Sequence, residues 1–380
     1  MGNLIEVIGI KEENCINCHQ CIAVCPVKVC SDGSGDVVKF NDELCIGCGR
    51  CIEACIKSHG GIVEKSARVP IDDSQEFIND LKDKNIVALV APSAQCNFDL
   101  KKLIKALKVL GVKAVYDVSL GAEITVACYH QIIESGQVEF PLISQACPAI
   151  VTYIELYQPE LLKHLAPSGS PVHDIAVYAH SLHPDCELAF ISPCLAKRRE
   201  FQDSKLIRYN VIYSSLTRIL EQNQVQLEAM AEADFDNPVA AGIATNFSQP
   251  GGLKASYLHH YPDTPPHLIS KIEGPSAFEK YLPDLATSIK NNSSHLPMIV
   301  DILSCENGCN MGPGCINHDK SLDMVEQSIA VRSEACAGNP EAERNLQVFL
   351  KDILGKHDFS YCYYEDLSSH NTIETPSVEE

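Results

Sequence analysis

Long apolar runs are missing from this 380-residue chain. Stretches such as Ile86–Ala91 fall far short of the ~20 residues needed to cross a bilayer, which excludes membrane insertion. A basic stripe is missing too. Lys197-Arg198-Arg199 is the densest basic cluster, and 30 Lys and Arg stand against 50 Asp and Glu, a formal charge of −20. That balance excludes a phosphate-backbone partner and leaves room for a basic protein surface. The first residues, Met1-Gly2-Asn3-Leu4-Ile5-Glu6, carry no basic leader with an apolar core, and Glu6 stands where myristoylation wants Ser or Thr. No low-complexity tract occurs, and the 14 histidines show no metal-ligand spacing; His19 and the pair His259-His260 read as surface residues. The expectation is a soluble cytoplasmic protein. Its 45% hydrophobic content suffices for a small accessory module and one large globular domain.

Cysteine is what the chain has in excess. Nineteen cysteines without a secretory signal point to a reducing, anoxic interior, and the chain is too large for a disulfide-stapled mini-domain. Eight fall in a doubled run: Cys15, Cys18, Cys21, Cys25-Pro26, then Cys45, Cys48, Cys51, Cys55. The spacing C-x2-C-x2-C-x3-C, twice, is that of bacterial two-cluster ferredoxins, in which the fourth cysteine of each run ligates the other cluster. A cubane needs thiolates at the corners of a small tetrahedron, and a tight loop with two-residue gaps supplies three. Zinc needs four ligands in two pairs, which this crossed set of eight exceeds. Cluster one then takes Cys15, Cys18, Cys21 and Cys55; cluster two takes Cys45, Cys48, Cys51 and Cys25.

Residues 1–65 form this module, and 66–84 read as a linker ending in a short amphipathic helix. From residue 85 the pattern alternates. Ile86–Ala91, Ala114–Val118, Leu142–Ser144, Leu188–Ser192 and Pro297–Leu303 have strand character, and Asp99–Gly111 and Thr217–Ala231 have helical spacing. Asn246–His260 opens on a Gly251-Gly252 turn and continues as a helix. Cys147-Pro148, Pro193-Cys194 and Cys305 stand at the ends of apolar strands, where α/β sheets place their sites. The fold class is an α+β ferredoxin-like module followed by an α/β domain of parallel-sheet units over 85–330. Residues 331–380 form a C-terminal wrapping segment and acidic tail.

Three segments then resemble, in order, the signature motifs of the [FeFe]-hydrogenase catalytic domain: Ser144-Gln145-Ala146-Cys147-Pro148-Ala149, Ser192-Pro193-Cys194-Leu195-Ala196-Lys197-Arg198-Arg199-Glu200, and Ser304 to Gly314 with Cys305 and Cys309. Val90-Ala91-Pro92-Ser93, Gly121–Thr125 and Gly251-Gly252 support the likeness, which runs from about residue 1 to 330. The resemblance implies that Cys147, Cys194, Cys305 and Cys309 hold a third [4Fe–4S] cluster, with Cys309 also bridging to a di-iron unit, together an H-cluster. It implies that Lys197 binds a cyanide ligand, as a point charge with rotatable donors suits, that Pro92 and Ser93 offer further hydrogen bonds, and that Lys197, Glu200 and Cys309 are the catalytic candidates. The glycines after Cys309 would let backbone approach the cofactor. The remaining cysteines, Cys30, Cys96, Cys128, Cys186, Cys336 and Cys362, read as core fillers or chance thiols, and Cys315 stands close behind the third motif.

The departures from that family bear on activity. Ala146 stands where fast members carry a proton-passing cysteine, Tyr129 and Ile132 where glutamates are expected, and Ala166 where a relay serine is. Ser192 and Leu303 replace two methionines beside the cofactor. With only Glu200 left, acid–base transfer lacks a titratable group at each step. The chain therefore resembles the sensory, regulatory branch: an H2-activating protein of low turnover that works with H2 and protons and passes electrons or a signal to a protein partner. The alternative is a three-cluster electron carrier or cluster-assembly protein without the di-iron unit; a third reading is a full hydrogenase whose protons are rerouted through Glu200, Cys128 or Tyr129.

Overall fold

The computed structural model describes residues 4–371. In the N-terminal module the two cysteine runs fold alike. Asn17 and His19 flank Cys18 with φ of 49° and 58°, and Gly47 and Gly49 flank Cys48 with φ of 70° and 77°. Each loop thus turns left-handed on both sides of its second cysteine, a conformation that favours Gly and Asn. Short helices, Gln20–Ala23 and Arg50–Ser58, come after the two loops.

Strand β1 (Ile8–Ile10) opens the module, and β2 (Ser31–Asp32) and β3 (Lys39–Phe40) form a hairpin. The next strand, β4 (Arg68–Pro70), pairs antiparallel with β1. The segment read as linker therefore begins inside the module's own sheet. Arg68, buried, stacks 3.6 Å from the Phe40 ring centroid and donates to the Val38 carbonyl. The expected short helix lies at Ser74–Asp80.

The large domain carries two all-parallel sheets. One has the order β6–β5–β8–β9, from β5 (Ile86–Val90), β6 (Ala114–Asp117), β8 (Glu187–Ser192) and β9 (Tyr209–Ile212). The other has β7 (Leu142–Ile143) and β10 (Ile269–Glu273) on either side of β11 (Ile299–Leu303). The apolar runs read from sequence are β5, β6, β7, β8 and β11, buried on both faces as parallel sheets require; β9, a buried Tyr-Asn-Val-Ile, went unread. Strand β10 escaped the sequence reading because it is a half-exposed edge, Ile-Ser-Lys-Ile-Glu. The helix over 100–110 has Asp99 as N-cap, accepting from the Lys102 N–H, and Gly111 left-handed at its end.

The helix expected over Thr217–Ala231 instead spans Tyr213–Gln222, with only a 3₁₀ turn at Leu227–Ala229. Tyr213, Leu216, Ile219 and Leu220 bury one face, and Gln224, at φ 57°, turns the chain away. The expected Gly251-Gly252 turn is there, with Gly251 left-handed and the helix Gly252–His260 after it, and a 3₁₀ turn at Ile243–Asn246 comes before.

The module and the large domain are knitted by polar bonds. Tyr157 Oη donates to the Leu44 carbonyl at 2.5 Å and Arg198 to the Glu6 carbonyl at 2.7 Å; Arg199 reaches the Cys45 carbonyl and Arg50 that of Ser304. A Cβ on Gly49 would fall 2.6 Å from the Pro313 ring, so only glycine lets these two loops meet. Helices Leu322–Ala337 and Pro340–Leu354 close the domain, and the segment after them buries Phe359, Tyr361 and Leu367. The acidic end of the expected tail, 372–380, lies outside the described residues. Among those described, no helix is long and apolar enough to cross a membrane.

Candidate functional site

The eight module cysteines gather as the crossed spacing requires. Cys15, Cys18, Cys21 and Cys55 line one small cavity with His19 and His59, and the Ala67 N–H donates to Cys55 Sγ at 3.3 Å. Cys25 interacts electrostatically with Cys45, Cys48 and Cys51 across the module. Cys30, read as a core filler, stands beside this second set, 3.7 Å from Cys25. Hydrogen bonding from Cys30 holds the thiols of Cys25 and Cys45 down at about 6 and about 7.

The three motif loops leave the carboxyl ends of β7, β8 and β11 and meet, with the loop after β5, around a cavity of about 850 Å³. Both sheets contribute, so the cavity sits where their strand ends converge. Cys147, Cys194, Cys305 and Cys309 line it together, with Pro92, Ser93, Ala146 and Lys197. Cys48 of the module lines it as well, placing the second thiol set against the third. Burial pushes the Cys194 thiol up to about 11 and that of Cys48 to about 12, and raises Cys305 and Cys309 further.

These features fit iron–sulfur cofactors. All cysteines are free, and buried thiols whose burial opposes ionisation hold anionic sulfur only beside a cation. Arg50 and Arg199 approach the thiols electrostatically and each keeps a buried nitrogen without a partner. Within the central cavity the hydroxyls of Ser248 and Ser304 are buried and unpartnered, leaving donors for a polar ligand.

Lys197 starts the helix Lys197–Ser204. Its Nζ donates to Glu200 Oε2 at 2.5 Å and to Ser170 Oγ at 2.9 Å, and Ser170 donates to Glu200 Oε1 at 2.5 Å. The pair is more than nine-tenths buried. Ser93 Oγ lies 2.7 Å from the Tyr213 hydroxyl. Beyond Glu200 a second cleft of about 400 Å³ is lined by Glu155, Asp203, Ser170, Tyr361 and Tyr364. Burial raises Glu155 to about 8 and Asp203 to about 6. Of this network the sequence reading named Lys197 and Glu200 and missed the rest, although Glu155, the lone carboxylate in the apolar helix Pro148–Tyr157, was a signal for it.

Other expectations are revised. The Ser192 hydroxyl accepts from the Cys194 N–H at 2.9 Å and donates to its carbonyl; it shapes the ligand loop and does not line the cavity. Beyond Cys309, Gly312 and Gly314 press against the Pro193 carbonyl, where a Cβ would stand 2.8 and 3.0 Å away, so both join two loops, and Gly312 lines the cavity as well. Cys96 Sγ donates to the Ser93 carbonyl at 3.0 Å and Cys315 Sγ to that of Asn310 at 3.4 Å, bracing the loops from behind. Tyr129 donates to Gln145 Oε1, whose amide is spent on the Ser168 and Gly169 carbonyls at 2.6 Å each; this route ends in an amide. His260, read as a surface residue, has a side chain only 5% exposed.

Residues 84–313 match the family described as iron only hydrogenase large subunit, C-terminal domain, and residues 7–58 match a 4Fe-4S dicluster domain. The chain is 22% identical over 415 residues to an NADP-reducing hydrogenase subunit of Solidesulfovibrio fructosivorans, covering 92% of this chain and 64% of that one. It is 22% identical over 214 residues to iron hydrogenase 1 of Clostridium pasteurianum, covering 48% and 37%; it thus spans less than two thirds of either relative. An [FeFe]-hydrogenase structure from Chlamydomonas reinhardtii superposes with a TM-score of 0.56 at 16% identity, over 78% of this chain and 100% of that one. Another [FeFe]-hydrogenase, from work on oxygen inactivation of the 2Fe subcluster, gives 0.58 at 16%, over 78% and 99%. At such identity the structures speak for the fold. The family match over most of the chain goes further: this is an [FeFe]-hydrogenase-like iron–sulfur protein, a member of the iron-only hydrogenase large-subunit family with an N-terminal 4Fe–4S module.

Proposed function

We propose that this chain activates H2 at low turnover in a sensory, regulatory or auxiliary role, relaying electrons through two N-terminal [4Fe–4S] clusters to a protein partner. One observation carries the reading. The cavity keeps four thiols and Lys197, while the wall position next to Cys147 is the methyl of Ala146, which moves no proton. In this reading Cys15, Cys18, Cys21 and Cys55 hold one cluster, and Cys45, Cys48, Cys51 and Cys25 the next. Cys147, Cys194, Cys305 and Cys309 would hold a third together with a di-iron unit, to which Pro92, Ser93 and Lys197 would offer hydrogen bonds. When bound, that group supplies cleavage of H2 into two protons and two electrons.

The chain's own residues govern how electrons and protons leave the cavity. Cys48, shared between the module and the cavity wall, gives electrons the short way out. For protons, transfer needs a group within hydrogen-bond reach at each step, and the connected series is Lys197, Ser170 and Glu200, then the cleft of Asp203 and Glu155 under the tyrosines of the C-terminal segment. Each proton passed must break and re-form the buried Lys197–Glu200 pair, which makes passage slow.

An infrared spectrum of protein expressed with maturation enzymes tests the reading. Carbonyl and cyanide bands that shift under H2 support it; bands with fast dye-coupled H2 oxidation remove the sensory part. The Lys197 ammonium is already satisfied by Glu200 and Ser170, and this favours a second reading, a three-cluster electron-transfer or cluster-assembly protein. Total iron separates the two: about 12 per chain for three cubanes against about 14 with the di-iron unit.

A further inference from the structure

The helix Gly252–His260 ends in two histidines that face the helix Pro340–Leu354, away from the thiol cavity. Behind His260 lies Glu123, a fully buried carboxylate. Its Oε1 accepts from the N–H groups of Gly242 and Ala244, both at 2.9 Å, and its Oε2 lies 2.6 Å from His260 Nε2. An anchored carboxylate acts only as acceptor, so it accepts the hydrogen bond of Nε2–H and leaves the Nδ1 lone pair to the other side. On that side stand Glu343 Oε1 at 3.6 Å and the Gln347 amide at 3.2 Å. Glu343 Oε1 also accepts from Gln347 at 3.0 Å, but its Oε2 is buried without a partner. One ligand atom from each of His259, His260 and Glu343 lies within 4.8 Å of the others.

We propose that His259, His260 and Glu343 bind a divalent transition ion, zinc by their chemistry. Two imidazoles and a carboxylate, with water in the fourth position, are an open zinc set. Glu123 is the positioning residue that a metal-bound histidine requires on its far nitrogen. The ion replaces the Gln347 amide at Nδ1 and satisfies the orphaned Glu343 oxygen. Its two positive charges balance the two carboxylates when both histidines are neutral. By joining the helix ends at 260 and 340 over Glu123 of the helix Val118–Glu134, it fastens the C-terminal helix to the domain.

The test uses the full chain with its clusters loaded, stripped with a mild chelator and titrated with zinc alone. The expected result is one retained zinc, with an X-ray absorption first shell of N and O at ~2.0–2.1 Å and no sulfur at ~2.3 Å. His259→Ala, at an exposed position, and Glu343→Gln each weaken zinc roughly a hundredfold without changing the iron content, and Glu123→Gln weakens it by about 10–100-fold. A sulfur shell, unaltered affinity in His259→Ala, or no zinc retained by the parent chain overturns the proposal.

Discussion

The carboxyl of Glu155 is the group whose removal the structure predicts most sharply. It sits 8% exposed on an apolar helix, accepting one bond from the Glu365 N–H at 3.1 Å. Burial, partly offset by that bond, raises it from 4.5 to about 8. Between those values the folded chain holds a proton that the unfolded chain has released, so folding stability falls as pH rises through this window and levels off above about pH 8. At ~1.36 kcal/mol per unit, the cost accumulated by pH 8 is roughly 3–5 kcal/mol. Glu155→Gln keeps an acceptor for Glu365 and cannot ionise. The variant should therefore match the parent near pH 4.5 and gain on it steadily to pH 8, where roughly 2 °C per kcal/mol puts its unfolding midpoint about 8 °C higher. Anaerobic thermal melts of both proteins at half-unit pH steps measure this. His260, which burial pulls down but Glu123 and Glu343 raise overall, adds a slope of the same sign; it cancels in the difference between the two proteins. A difference independent of pH would refute the argument, and so would a parent more stable at pH 8 than the variant.

The same geometry fixes further measurable outcomes. Ala146→Cys should raise H2 turnover, measured with dye, because it places a titratable group on the cavity wall; an unchanged rate would favour the route through Glu200. Glu200→Ala leaves the Lys197 ammonium buried without its carboxylate, so stability should drop by about 3–5 kcal/mol in chemical denaturation, whereas Ser170→Ala removes bonds to the two charged groups but keeps the ion pair and should cost about 1.5–3 kcal/mol. Cys30→Ala should lower the potential of the second cluster by roughly 20–40 mV in a redox titration, since it removes a hydrogen bond to the Cys25 and Cys45 sulfurs worth about 0.5–1 kcal/mol to the reduced state. Removing iron with a chelator should unfold the N-terminal module before the large domain, because eight thiols, all but that of Cys18 buried or half-buried, then lack the ion that folds them.

What the sequence determined by itself was local. Two-residue gaps between cysteines dictate tight left-handed loops wherever they occur, so the crossed thiol sets of the module could be read from spacing. Continuous apolar runs bounded by turns became the buried parallel strands, and Cys147, Cys194 and Cys305 stand just beyond three of them, which was enough to place the central cavity at the strand ends. The half-polar edge strand Ile269–Glu273 was hidden because only its partner in space makes it a strand, and Arg68–Pro70 looked like linker because its partner, β1, lies some sixty residues away. Only the tertiary structure decided which side chains share a proton or a charge. Ser170 meets Lys197, Cys30 meets Cys45, and Glu123 backs His260, through packing of elements separated in the chain. A hydrogen bond depends on distances of a few tenths of an ångström between such elements. Residue spacing along the chain encodes loop shape, but it carries no record of which loops come to rest against one another.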